Sequence, residues 1–190
     1  MAIHLGFFYI FIKTLLQFAL QVHKPPSAFP MDMQSKCCNK LRVFIWLLLM
    51  DRLNTRNLLR RKNFKIEGNN YSCVLCRRQL EETAFHLFFE CSFSRSCWES
   101  IGLKWTRTLP FFSMIQNARQ SFNKPFFMEI FIIAAWGIWK QRNNMIFDQK
   151  QPSLHSWKKT FADEVLLQAN RIKEDLRTEL LEWTISVCPS

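Results

Sequence analysis

The spacing Cys73-x2-Cys76-x9-His86-x4-Cys91, inside the stretch YSCVLCRRQLEETAFHLFFECSFSRSCW, constrains this chain more than any other feature. A CxxC pair serves as a redox couple, as half of a disulfide framework or as half of a metal site. A thioredoxin-like pair sits at a strand-to-helix junction of a βαβ unit, and no such pattern surrounds Cys73. The cysteines Cys37, Cys38, Cys73, Cys76, Cys91, Cys97 and Cys188 form an odd set without even spacing. A basic, Phe-rich chain of 190 residues is also unlike the small secreted scaffolds that disulfides staple. Metal binding fits better. Two thiolates on a tight knuckle reach one ion, and a histidine with a third thiolate completes a Cys3His set. Zinc takes such a set as a closed tetrahedral structural site, leaving no open position for a catalytic water. The expectation is one structural Zn2+ on Cys73, Cys76, His86 and Cys91, with no catalytic residue anywhere in the chain.

Around these ligands the sequence predicts a helix start at Glu81, Glu82 and Thr83, with Thr83 as cap and the acidic pair near the positive end of the helix dipole. His86 then lies in the first turn. On a regular helix, residues five apart sit about 140° apart on the wheel, so His86 and Cys91 converge only if the helix ends or tightens near Cys91.

Apolar residues are 48% of the chain and aromatics 15%, while 4 Gly and 7 Pro are too few for a turn-rich all-β protein. The predicted fold is mainly α: a small helical domain stapled by the Cys3His site, followed by a long-helix C-terminal region. The run from Cys37 to Met50 reads as a buried helix, and Thr55 caps a second helix. On that second helix Arg56 and Arg60 share one face, with Leu58, Leu59 and the flanking Phe64 on an apolar side. KPFFMEIFIIAAWGIWKQRNNMIF places Pro125 near a first helical position and continues at helical spacing to Phe147. Beyond it, Ser153 caps an amphipathic packing helix with an apolar stripe of Phe161, Val165, Leu166, Ala169, Ile172, Leu176 and Leu180.

The net charge of +11 is concentrated. Lys36 to Arg78 carries eleven Lys/Arg against Asp51 and Glu67, or +9. Arg52, Arg56, Arg60, Arg61, Lys62, Lys65, Arg77 and Arg78 precede or interrupt the CxxC knuckle, which suits RNA or DNA bound through phosphates with little sequence preference. The competing reading is a solvated charged face.

RVFIWLLLMDRLNTRNLLRRKNF, then CVLC, EETAFHLFFEC and a tryptophan, followed downstream by WGIWKQRNNMIF, resembles the zinc-binding domain C-terminal to the reverse transcriptase in plant LINE-type (non-LTR) retrotransposons. The family's ligands fall on Cys73, Cys76, His86 and Cys91. Its apolar helix falls on Phe44, Trp46 and Leu47 to Leu49, and its following stretch on Arg52, Leu53, Thr55, Arg56 and Leu58. Trp98 matches its tryptophan, and Cys97 stands where an aliphatic residue is usual, so Cys97 is expected in the core. Trp139, Lys140, Arg142, Asn143 and Phe147 resemble the segment that usually follows. The resemblance implies a nucleic-acid partner or a reverse transcriptase polypeptide.

No Asp-Asp pair exists to hold two polymerase metals, and the acidic residues ADE, KED and TELLE fall on a helical period as a solvated face. The expected division is an apolar leader with a proline-containing linker (1–35), the zinc-binding domain (36–103) and a C-terminal helical region (104–190). The leader Met1 to Val22 is broken by His4, Lys13, Gln17 and Gln21 and lacks a basic n-region. A membrane is therefore not an expected partner, and nucleus or cytoplasm is the favoured location, with an anchor through this leader as the rival. The alternative function is a structural or protein-interaction remnant whose surface is the Trp/Phe-rich C-terminal part.

Overall fold

The sequence from Phe127 to Phe147 carries apolar side chains on every face, and other helices surround it. The computed structural model describes residues 35–188, and the leader and most of the linker, on which the anchor reading rests, lie outside them. The described elements are α1 (Asn39–Leu49), α2 (Arg56–Arg61), a short 3-10 turn (Glu67–Asn69), a π-helical turn (His86–Glu90) and α3 (Ser92–Ser100). The C-terminal half adds α4 (Phe111–Phe122), α5 (Phe127–Phe147), α6 (Leu154–Ala169) and α7 (Glu174–Val187). Among the described residues there is no strand, only an isolated antiparallel bridge between Ser72 and Glu81. The fold is mainly helical, as its composition predicts. No described helix is long and apolar enough to cross a membrane.

Helix α5 is the centre. α1, α3, α4 and α6 all pack against it, and α7 covers α6. Gly137 permits the closest approach: a Cβ there would lie 2.7 Å from Nε1 of Trp157 on α6. The Trp157 indole lies across α5 and donates to the Ala134 carbonyl at 3.3 Å. One hydrophobic core runs from Cys37 to Leu180, so residues on both sides of position 103 share it. The aromatic residues make the joints. Phe44 of α1 meets Phe88 of the π turn and Trp139 of α5, with ring centroids 6.1 and 6.4 Å away.

Local signals explain most boundaries. Thr55 Oγ1 accepts from the Leu58 N–H and Ser153 Oγ from the Ser156 N–H, so both predicted caps form. Pro125 lies just ahead of the Phe126 cap of α5, near the first helical position as expected. Two expectations are corrected. Phe64 is exposed rather than part of an apolar side. The predicted C-terminal stripe belongs to two helices, since the chain turns at Asn170–Lys173 and α7 folds back on α6. That reversal buries Leu180 and brings Trp183 against Phe122, Phe126 and Phe161, contacts that a straight continuation would forgo. Glu174 and Asp175 then occupy the first turn of α7, where the dipole favours them, and Leu166 is left exposed.

Candidate metal centre

Residues 71–82 form the knuckle. Cys73 donates its N–H to the Leu80 carbonyl at 2.8 Å, and Glu82 donates to Tyr71 at 3.0 Å, closing a loop with CVLC at its head. Within that loop the Cys73 sulfur receives a backbone N–H from Leu75 and the Cys76 sulfur one from Arg78. Gln79, at φ 52°, turns the chain back. Those N–H groups favour thiolate charge, the state that binds a metal.

The other two side chains come from the π turn. Thr83 Oγ1 accepts from the His86 N–H at 2.9 Å, so the predicted cap stands. Convergence, however, is achieved by widening and not by tightening. Cys91 donates its N–H to the His86 carbonyl at 2.7 Å, one residue beyond the α-helical partner, and the helix stops there with Cys91 extended at ψ 132°. An i→i+5 turn spends roughly 80° per residue, so five residues come round to within about 40° and His86 and Cys91 face the same side. Carbonyls left over by the wide turn are taken by α3: Ser94 Oγ donates to Leu87 and Trp98 Nε1 to Phe88, both from buried positions. Trp98 is thus a clamp on the ligand turn as well as core, a role its spacing from Ser94 (i, i+4) makes visible only once the turn is known.

The four ligand atoms lie within 4.8 Å of one another, with His86, Cys73 and Cys91 buried and Cys76 half-buried. Cys73 Sγ and Cys91 Sγ are 3.9 Å apart, and His86 Nε2 is 3.4 Å from Cys76 Sγ. Tetrahedral zinc with Zn–S of about 2.3 Å and Zn–N of about 2.0 to 2.1 Å places neighbouring ligand atoms about 3.5 to 3.8 Å apart, so the donor set fits the ion. Cys91 is poised as a thiolate. A hydrogen bond from the Cys73 thiol, helped by the Ser94 and Phe93 N–H groups at the start of α3, draws its pKa down to about 6 against the opposing effect of burial. The same hydrogen bond, followed by burial, holds the proton on Cys73, and burial raises Cys76. Metal uptake must therefore displace protons. Cys97 is wholly buried on α3 and outside the cluster.

Sequence reasoning did not find the residues that hold the knuckle to α5. Glu82 is 0% exposed, and its carboxylate is turned toward α5 and the N-terminus of α2. Its Oε1 accepts from Arg142 Nε at 3.1 Å, Arg142 Nη2 at 2.8 Å and the Arg56 N–H at 3.0 Å. Arg142 also lies over the Trp139 ring and donates to the Asn54 carbonyl. The resemblance marks Arg142 without giving it a task, and the task is this buried pair.

Of the basic residues, half-buried Arg56 donates to the Asn70 and Ser72 carbonyls at 2.9 and 3.0 Å, bracing the segment that leads into Cys73. Arg60 pairs with Glu81 and Arg61 with Asp51, each at 2.8 Å, and Lys62 reaches Asn54 at 3.4 Å. Arg52, Lys65, Arg77 and Arg78 are exposed without an ion-pair partner among the described residues.

The fold and the cluster define a helical protein with a candidate Cys3His site for structural zinc. Residues 13–98, a little under half of the chain, match the model of a family described as zinc-binding in reverse transcriptase. No curated protein and no solved structure matches.

Proposed function

We propose that this chain is a zinc-stapled nucleic-acid-binding module of retrotransposon origin, of the plant LINE type, without catalysis of its own. Zinc on Cys73, Cys76, His86 and Cys91 fixes the knuckle. The observation that carries the reading is where the knuckle leaves its cations: Arg77 and Arg78 follow Cys76 directly and are exposed, and Lys65 lies exposed on the segment that leads to the knuckle. Free cations on a metal-fixed loop suit phosphates, and no side-chain pattern implies base reading. Arg56 supports this surface through its backbone contacts, and Arg60 and Arg61 add to it from exposed ion pairs. A titration of the zinc-loaded chain on single- and double-stranded RNA and DNA should give affinities that fall steeply between low and physiological salt. Salt-independent association would favour the protein-interaction reading, for which exposed Leu166, Leu167 and Ile185 on α6 and α7 speak.

A further inference from the structure

The histidine of the cluster has two ring nitrogens, and only one of them has been given a use. His86 is 3% exposed. Its Nε2 faces the Cys76 sulfur at 3.4 Å, on the ligand side. Its Nδ1 points away, is buried and has no hydrogen-bond partner. A neutral imidazole that gives one nitrogen's lone pair to a metal carries its proton on the other, so Nδ1–H is a donor in search of an acceptor. The nearest carboxylate is on the same turn: Glu90 Oε2 lies 3.7 Å from Nδ1.

The turn that unites the ligands also creates this neighbour. At roughly 80° per residue, Glu90 falls about 40° to one side of His86 and Cys91 about 40° to the other. The ring is thereby flanked by a thiolate toward the cluster and a carboxylate behind it. Glu90 is 45% exposed in its side chain and anchored by no other ion pair or hydrogen bond among the described residues, so a small rotation brings it to hydrogen-bonding distance.

We propose that Glu90 is the positioning residue of the metal centre: its carboxylate accepts the Nδ1–H of His86, fixing the tautomer that presents Nε2 to the ion. This rests on the zinc reading above. A carboxylate behind a ligating histidine orients the ring and raises its basicity, and its loss commonly lowers metal affinity about 10- to 100-fold.

The test uses the full chain and Co2+ as the probe. Glu90→Ala should weaken Co2+ binding about 10- to 100-fold, and Glu90→Gln, whose amide oxygen still accepts, should recover part of that loss. Glu99→Ala removes a comparably exposed carboxylate on α3 and should leave affinity unchanged. In the zinc-loaded parent, 15N spectra of the His86 ring should show a protonated Nδ1 and a metal-bound Nε2. Equal Co2+ affinity for parent and Glu90→Ala, an equal loss in Glu99→Ala, or metal on Nδ1 overturns the Glu90 assignment while leaving the metal site standing. A parent that takes up no Co2+ overturns the site itself and this inference with it.

Discussion

The knuckle and helix α5 hold the chain in opposite ways. Residues 71–82 bury little beyond Cys73, Leu75 and Glu82, and depend on a few backbone hydrogen bonds and four ligand atoms. Helix α5 buries residues all around its circumference and depends on apolar contact with four neighbouring helices. The knuckle meets α5 at Glu82 on Arg142, and the π turn that follows it meets α5 at Phe88 on Trp139. The difference teaches where each region is vulnerable: the knuckle to loss of a ligand, the helix to changes in volume, and the joint to loss of one charge.

The largest expected effect is on the knuckle. Cys73→Ser removes a ligand, so binding free energy that serves as folding free energy is lost, on the order of several kcal/mol, whereas Cys97→Ser costs only a buried-thiol change. Thermal melting with and without chelator should show the parent and Cys97→Ser as chelator-sensitive and Cys73→Ser as already shifted. Equal shifts for the two mutants would erase the distinction between knuckle and core.

Next is the joint. Glu82→Ala leaves Arg142 buried without its partner and should destabilise by about 3 to 5 kcal/mol in chemical unfolding. Replacing both residues with apolar ones of similar volume should recover much of that loss, because the unpaired charge is what costs most. An additive double mutant would show that the pair does not act as a unit.

Gly137→Ala probes α5 alone. The added methyl meets the Trp157 indole at 2.7 Å, and overpacking of this kind costs about 1 to 3 kcal/mol. Melting should fall while metal affinity is retained, and a loss of metal affinity would mean that the two regions are not separable.

The smallest effect on stability comes from the free cations. Arg77→Ala with Arg78→Ala should leave melting within about 0.5 kcal/mol of the parent. It should weaken binding to all nucleic-acid sequences alike and reduce the salt slope by about one unit per lost phosphate contact. Arg56→Ala should do the reverse, lowering stability by releasing the Asn70 and Ser72 carbonyls.

The ligand set was legible in the sequence because thiol and imidazole spacing is a local property. The helices were legible for a similar reason, since apolar periodicity and the Thr55, Thr83 and Ser153 caps are written within a few residues. What escaped was non-local. Nothing in EETAFH distinguishes a buried Glu82 from a surface one, because its partner stands sixty residues later. The π turn depends on Ser94 and Trp98 taking the spare carbonyls, which spacing alone does not announce. The fold-back at Asn170–Lys173 depends on a Trp183 pocket built by Phe122, Phe126 and Phe161. Charge counting likewise does not show that Arg56 is tied to backbone carbonyls while Arg60 and Arg61 stay exposed beside Glu81 and Asp51.

The most direct test of the central claim is X-ray absorption at the zinc edge, with metal counting, on the full chain loaded with Zn2+. The account predicts one ion per chain with three sulfur neighbours at about 2.3 Å and one nitrogen at about 2.0 to 2.1 Å, and loss of the nitrogen shell in His86→Ala. A four-sulfur shell, or an unchanged spectrum in His86→Ala, would contradict it.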